Sequence, residues 1–144
     1  MGPSPSDTWY HGSPLVLSVL LSGSTITQDR HLAEVFSLKP TLVSLGDDGK
    51  IHHNGRADGL LYRMAEPVGS DDVVPHPRSS MPPGLEWLIT RPLRVELIGP
   101  VTPVKGERMS MLAERMLVLR AHGYRLFARL ERVWRGWRKR VGGA

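Results

Sequence analysis

Three short pieces of this chain combine residue types that can act on a polar organic substrate. Tyr10-His11-Gly12-Ser13 supplies an imidazole and a glycine, Gly23–Gln28 supplies hydroxyls, and Gly84–Ile89 contains Glu86 beside Trp87. A carboxylate can stabilise a positive charge that develops in a transition state. An imidazole can hold a substrate hydroxyl in one pose, and a glycine lets the backbone approach a ligand closely. These groups act together only if the fold brings the three pieces to one place.

The first two pieces lie at predicted strand and helix ends. Ser13 and Pro14 suit the N-cap and the first position of a helix, and Thr27 can cap another. A strand is indicated where β-forming residues stop at Gly12. The predicted elements are a strand at Thr8–His11, a helix over Leu15–Leu21 that ends at Gly23, an extended piece at Ser24–Thr27 and a helix over Gln28–Ser37.

The third piece follows a predicted hairpin and a proline-rich loop. Gly46-Asp47-Asp48-Gly49 predicts a hairpin between Thr41–Leu45 and Lys50–His53. Residues 67–85 hold five prolines and are predicted to be mostly loop, and a loop of this length in a compact domain is often functional. Further strands are predicted at Leu60–Glu66, Glu86–Thr90 and Leu93–Ile98.

The C-terminal part of the chain changes to a helical pattern. Met109, Leu112, Met116 and Leu119 recur at helical spacing up to Ala121, and a further helix is predicted over residues 124–140. Mixed strands and short helices followed by two helices predict an α+β fold. We therefore expect a flexible arm at residues 1–8, a core at residues 9–104, and a basic helical segment of the same domain at residues 105–144.

Composition limits the class of protein. The chain has no cysteine, which excludes disulfides, thiolate nucleophiles and cysteine-ligated metals. The N-terminal MGPSPSDTW lacks the positive region of a signal peptide. The longest apolar run, residues 15–21, is interrupted by Ser18 and is too short to span a bilayer. We therefore expect no transmembrane segment and a cytoplasmic location.

The positive charge is concentrated at the C-terminus. Residues 105–144 carry eleven Lys or Arg and three Asp or Glu, whereas residues 1–104 carry eight and eleven. This charge fits a solvated helix face, or contact with nucleic-acid phosphates, an anionic membrane surface or an acidic protein. The sequence does not choose among these partners. The basic residues predicted to make such contacts are Arg125, Arg129, Arg132, Arg138, Lys139 and Arg140.

Together, the three pieces resemble the ADP-ribosyltransferase superfamily. A first strand that ends in aromatic-His-Gly-Ser/Thr is the first motif of that family, and Tyr10–Ser13 fits it. In the branch with diphtheria toxin and the poly(ADP-ribose) polymerases, a late strand opens with a Glu followed by an aromatic and aliphatic residues, as at Glu86–Ile89. A Val/Leu-rich strand follows, as at Leu93–Leu97. Thr25 and Phe36 take the positions of the branch's middle Tyr and of the aromatic eleven residues later.

The chain also resembles the small rifampin ADP-ribosyltransferases over nearly its whole length. The order and spacing of the similar pieces carry this likeness, since each piece alone is unspecific. The pieces are Tyr10-His11-Gly12, Ile26-Thr27-Gln28 before a helix, Ala65-Glu66-Pro67 followed by Asp71-Asp72, Arg91–Val95, and a C-terminal helix near Leu119–Gly123.

The resemblance implies a split β-sheet core that binds NAD⁺ and needs no metal. Glu86 would stabilise the oxocarbenium-like ribose that forms when the bond to nicotinamide breaks. His11 would hold a ribose hydroxyl, Gly12 would admit the nicotinamide amide, and Phe36 would stack on the ring. The implied catalytic residues are His11, Thr25 and Glu86, and the implied NAD⁺-binding residues are His11, Gly12, Ser13, Ser24, Thr25 and Phe36.

Three features of the sequence leave alternatives open. Thr25 replaces the family's middle Tyr and cannot stack, so the alternative function is an inactive binding module that acts through the basic C-terminal helix. Gly84 stands where arginine-modifying relatives have Glu or Gln, so arginine is not supported as the acceptor, which remains unknown. Asp71 and Asp72 occupy the region of the functional Asp of the rifampin enzymes and rival Glu86 as the acid.

Each candidate also has an ordinary structural interpretation. His11 can be a strand-end histidine bonded to backbone, Glu86 a surface residue, and Phe36 a core residue. Ser24 and Thr25 can be capping or strand residues, and Asp71-Asp72 a solvated turn. His52 and His53 are adjacent in a predicted strand and so point to opposite faces, which suits a shared metal poorly.

Overall fold

The computed structural model describes residues 2–123, which form an α+β fold of mostly antiparallel strands. This confirms the predicted fold class. The strands are β1 (Tyr10–Ser13), β2 (Val19–Leu20), β3 (Thr25–Ile26), β4 (Val43–Leu45), β5 (Ile51–His53), β6 (Gly59–Met64), β7 (Val73–Pro75), β8 (Trp87–Ile89) and β9 (Leu93–Val101). Helix α1 is Arg30–Ser37, a 3-10 turn is Ser70–Asp72, and residues 111–123 form helix α2.

The described strands form two main antiparallel sheets and a separate hairpin. The larger sheet has the order β1-β6-β9-β2, the smaller one β3-β8-β7, and the hairpin is β4-β5. Backbone hydrogen bonds between Tyr10 and Thr27 in both directions, at 2.8 and 3.0 Å, join the first strand to the end of β3. This link brings the Tyr10–Ser13 and Gly23–Gln28 pieces together.

The main core fills the space between the sheets. It contains the buried residues Trp9, Leu20, Ile26, Tyr62, Val68, Val73, Ile89, Leu93 and Val95. In β9 the register shifts so that Leu61 faces Gly99 while Tyr62 faces Leu97, which makes Ile98 an extra residue at a bulge. Burying these aromatic and aliphatic side chains is the main term that stabilises the sheets.

Helix α1 forms close to its predicted position but begins later. Asp29, not Thr27, is the N-cap, because its carboxylate accepts a hydrogen bond from the Leu32 N–H at 3.0 Å. The Thr27 hydroxyl instead accepts from the Asp29 N–H at 3.1 Å. Leu32 and Val35 are buried on the predicted apolar face, and the helix contacts β1 and β6.

The helix predicted over residues 15–21 is wrong. This segment is a loop followed by β2, which pairs with β9. The buried Tyr62 hydroxyl donates to the Leu15 carbonyl at 2.6 Å and accepts from the Leu17 N–H at 3.0 Å. These bonds take up backbone groups that a helix would use, so a tertiary contact overrides the local pattern.

Other predictions hold with shifted ends. The β4-β5 hairpin and the strands β6, β8 and β9 are confirmed. Residues 67–85 are mostly loop, as predicted, and they also contain the 3-10 turn and β7. Pro75 ends β7, an edge strand of the smaller sheet, where a residue without an N–H is tolerated.

Contacts divide the chain into two units, residues 1–108 and 109–144. In the described part of the second unit, Ser110 caps α2 by accepting a hydrogen bond from the Ala113 N–H at 3.1 Å. Helix α2 thus begins later than predicted and continues through Gly123, where the sequence predicted a break. The second predicted helix and all the basic residues listed from Arg125 to Arg140 lie outside the described residues. No helix within residues 2–123 has the length and apolarity needed to cross a membrane.

Candidate functional site

A cavity of about 200 Å³ opens where β1, β3, α1 and the start of β8 meet. Five of the predicted site residues line it: His11, Gly12, Thr25, Phe36 and Glu86. Four of them come from the three pieces of sequence, and Phe36 lies on α1. The fold therefore brings together groups that are up to 75 positions apart in the sequence. The other lining residues are Tyr10, Ile26, Thr27 and Ala33.

His11 is a half-buried residue of β1 with a defined tautomer. Its Nδ1 lies 2.7 Å from the Thr25 carbonyl oxygen, which can only accept, so Nδ1 carries the proton. Burial lowers the pKa of His11, the bond to Thr25 acts in the opposite direction, and the positive charge of Lys39 lowers the pKa further. The neutral ring then has Nε2 as an acceptor for a ligand hydroxyl.

Glu86 lies just before β8 and is half-buried. Its carboxylate Oε2 accepts a hydrogen bond from the Ser79 hydroxyl. The next residue, Trp87, packs edge-on against Trp9 with ring centroids 6.0 Å apart. Because Trp9 is buried in the main core, the backbone that carries Glu86 is fixed to a rigid part of the fold.

Thr25 and Phe36 have structural roles besides lining the cavity. Thr25 pairs with Leu88 in the smaller sheet, and its carbonyl orients His11. Phe36 packs against the second buried cluster, made of Leu32, Val35 and Ile51. For Phe36, the core interpretation and the cavity interpretation therefore both hold.

Ser13 and Ser24 do not line the cavity. The Ser13 side chain is buried, and its hydroxyl accepts from the Leu15 N–H at 3.1 Å, which shapes the loop after β1. The Ser24 carbonyl accepts from the Ile89 N–H at 3.0 Å, and this bond continues the pairing of β3 with β8. Both serines support neighbouring strands in this structure.

Asp71 and Asp72 also lie outside the cavity lining. The Arg91 guanidinium donates to both carboxylate oxygens of Asp72, at 2.7 and 3.2 Å, and to Glu66 at 2.7 Å. The bond from Arg91 and then the Gly69 N–H lower the pKa of Asp72, and Arg91 likewise lowers the pKa of Glu66. A carboxylate bound in this way ties the 3-10 turn to the start of β9.

We expect Asp72→Asn to lower the melting temperature by a few degrees, whereas Asp71→Asn leaves it unchanged. The reason is that Asp72 accepts charge-assisted bonds from Arg91. Since the pKa of Asp72 is lowered in the folded state, this stabilisation is fully present at neutral pH. It starts to weaken near pH 3.8 and is lost as the pH falls through the lower pKa of the folded state. Thermal unfolding at neutral pH and at about pH 3 measures the difference. A larger loss in Asp71→Asn would contradict this assignment.

Two histidines outside the cavity hold the segment before the second unit. His31 Nε2 lies 2.6 Å from the Glu107 carboxylate, and the backbone N–H of His53 donates to the backbone carbonyl of Glu107 at 2.9 Å. His53 is buried while His52 is exposed, which confirms that they point to opposite faces. Within residues 2–123, no group of three or more His, Asp or Glu side chains is arranged to hold a metal ion.

Sequence reasoning missed the hydroxyl that contacts Glu86. Ser79 lies seven positions before Glu86 in a loop with four prolines nearby, Pro75, Pro77, Pro82 and Pro83, and no local pattern marks it. Tyr10 and Thr27 were within quoted motifs but were not assigned to the site. The cavity is lined by three consecutive residues of each piece, 10–12 and 25–27, so the alternation of a strand would not have selected them.

No model of a known protein family, no curated protein and no solved structure matches this chain.

Proposed function

We propose that this chain is an NAD⁺-dependent ADP-ribosyltransferase that releases nicotinamide and passes ADP-ribose to an acceptor. The observation that carries the proposal is that His11, Gly12, Thr25, Phe36 and Glu86 line one cavity. All five were predicted from the sequence, through its resemblance to the ADP-ribosyltransferase superfamily. A chance set of surface and core residues has no reason to meet in one place.

The arrangement of the sheets supports an ADP-ribosyltransferase-like core. Two antiparallel sheets meet near the Tyr10–Thr27 bridge, and α1 packs beside β1. The cavity, at about 200 Å³, is smaller than the roughly 300–1,000 Å³ of sites that enclose a drug-sized ligand. It therefore suits one end of a dinucleotide, the nicotinamide and its ribose, with the rest of NAD⁺ outside.

The proposed chemistry uses the charge and hydrogen-bonding state of each group. His11 Nε2 accepts a bond from a ribose hydroxyl, and Phe36 offers an aromatic face to the nicotinamide. The C–N bond then breaks with its electron pair leaving on nicotinamide, which places positive charge on the ribose. The Glu86 carboxylate stabilises that charge until a nucleophile on the acceptor bonds to the ribose carbon and loses its proton.

The experiment that tests this function is nicotinamide release from NAD⁺ by the purified full chain, with NAD⁺ binding measured by calorimetry. Steady release supports the enzyme. If the protein binds NAD⁺ but releases no nicotinamide, it is not an enzyme for this reaction. That result favours the binding module, which the replacement of the family's Tyr by Thr25 suggests. If the protein neither binds NAD⁺ nor releases nicotinamide, the assignment of the cavity is wrong. Strongly salt-dependent binding of DNA or RNA would then point to the basic C-terminal residues.

The proposed role of His11 predicts the pH dependence of the reaction. Because burial lowers the pKa of His11 below 6.5, the neutral acceptor form persists below the usual histidine range, so nicotinamide release should hold its neutral-pH rate to below about pH 6.5. In the wild type, the rate should fall at lower pH, where His11 becomes protonated. His11→Asn retains an acceptor that does not titrate, so its rate should lack this fall. Initial rates across the pH range, with circular dichroism to confirm folding, check this. The prediction would be contradicted if, as the pH is lowered, the rate of nicotinamide release already fell above pH 6.5 and the same fall remained in His11→Asn.

A further inference from the structure

The loop of residues 76–86 between β7 and β8 holds Glu86 through contacts of its own. The backbone N–H of His76 donates to the backbone carbonyl of Glu86 at 3.0 Å, and this bond joins the two ends of the loop. Inside it, the Ser79 hydroxyl donates to the Glu86 carboxylate and accepts from the Met81 N–H at 3.1 Å. The hydroxyl thus has both a donor and an acceptor role, and its direction is fixed.

The loop is anchored to the fold on the side of α1. Met81 and Leu85 pack against the buried cluster of Leu32, Val35 and Ile51. Gly84 has φ 87°, in the left-handed region that favours glycine, and it turns the chain toward β8. Ser79 therefore lies on a segment whose ends and apolar side chains are both held, and it can act as a fixed point for a neighbouring side chain.

Glu86 needs such a fixed point because its side chain has three rotatable bonds. Among residues 2–123, Ser79 is the residue that donates a hydrogen bond to the Glu86 carboxylate, and the bond is to Oε2. Oε1 accepts no hydrogen bond from the described residues, and Glu86 lines the cavity. A single held conformer avoids the loss of rate that follows when a catalytic group is misplaced by about 1 Å.

We propose that Ser79 is a positioning residue that holds the Glu86 carboxylate at the cavity for the reaction. This inference rests on the proposed function, and it adds a residue that none of the sequence motifs contains. Ser79 acts through Glu86, so its removal lowers the rate of bond breaking and leaves the binding of NAD⁺ nearly unchanged.

The test compares Ser79→Ala and Ser79→Thr with Ser80→Ala, a control at an exposed neighbouring serine. We expect Ser79→Ala to lower kcat for nicotinamide release by about 10- to 100-fold with KM changed by less than about 3-fold. Ser79→Thr keeps the hydroxyl and should restore most of kcat, and Ser80→Ala should match the wild type. Thermal unfolding of each variant identifies any effect that comes from loss of folded protein.

A double substitution separates positioning from general loop stability. If Ser79 acts through Glu86, adding Ser79→Ala to Glu86→Gln should lower kcat no further. An additive loss, a Ser79→Ala variant as active as the wild type, or no rescue by Ser79→Thr would each overturn the role of Ser79 while the enzyme stands. A wild-type protein that releases no nicotinamide would overturn the proposed function first, so the two failures are distinguishable.

Discussion

Glu86→Gln should lower nicotinamide release by at least about 100-fold, because removing one preorganised electrostatic group from an active site typically costs that much or more. The amide keeps the size of the side chain and can still accept from Ser79, so the loop should stay in place. What it lacks is the negative charge that stabilises the ribose cation. Steady-state kinetics of nicotinamide release measure kcat, and calorimetry measures NAD⁺ affinity, which should change by less than about 3-fold.

The matched control is Glu96→Gln. Glu96 lies on β9 and forms an exposed ion pair with Arg63 at 2.8 Å, and it does not line the cavity. Exposed pairs of this kind contribute little to stability, so this variant should keep both activity and fold. If Glu86→Gln retained wild-type kcat, Glu86 would not be the group that stabilises the ribose cation, and the mechanism proposed for this cavity would be wrong.

Gly12→Ala should cost about 3 kcal/mol or more of folding free energy, at the upper end of the range for overpacked sites. A Cβ at residue 12 would lie 1.8 Å from the Ala33 carbonyl oxygen and 2.7 Å from the Ser37 backbone N. Both atoms belong to the backbone of α1, so no side-chain rotation can relieve the clash. The helix would have to move away from β1, and the cavity between them would deform.

Urea unfolding of Gly12→Ala against Gly69→Ala tests this expectation. At Gly69 the nearest atom to an added Cβ is Asp72 Oδ2 at 3.6 Å, an ordinary contact, and the φ of −86° is open to any residue. The control should therefore unfold within about 1 kcal/mol of the wild type. Equal midpoints for Gly12→Ala and the wild type would show that α1 does not pack on β1 as closely as this structure has it.

The glycine of the His11-Gly12-Ser13 motif thus has two reasons to be glycine. The sequence suggested only the first, close approach of the backbone to a ligand. The second, contact with the backbone of α1, involves residues more than 20 positions away and is a property of the packed fold. A loss of activity in Gly12→Ala must therefore be measured on protein that is shown to be folded.

Local chemistry was enough to determine several elements from the sequence. Gly46-Asp47-Asp48-Gly49 specifies the β4-β5 hairpin because few residues fit a tight turn. The apolar stripe of Leu32, Val35 and Phe36 marks α1, since a helix repeats every 3.6 residues. The resemblance to a known family, not local chemistry, singled out His11, Thr25 and Glu86. His11 lies within β1, Thr25 begins β3, and Glu86 directly precedes β8.

Only the tertiary structure decided how those elements are completed and what surrounds the candidate acid. The hydrogen bonds of the Tyr62 hydroxyl hold residues 15–18 in a loop where a helix was expected. Arg91 forms a hydrogen bond to Asp72, which lies 19 positions away in the sequence. The bond from Ser79 to Glu86 likewise depends on how the proline-rich loop folds over α1. The physical reason is the same in each case. These contacts join residues whose separation along the chain carries no periodic signal, so they exist only after the sheets and α1 have packed.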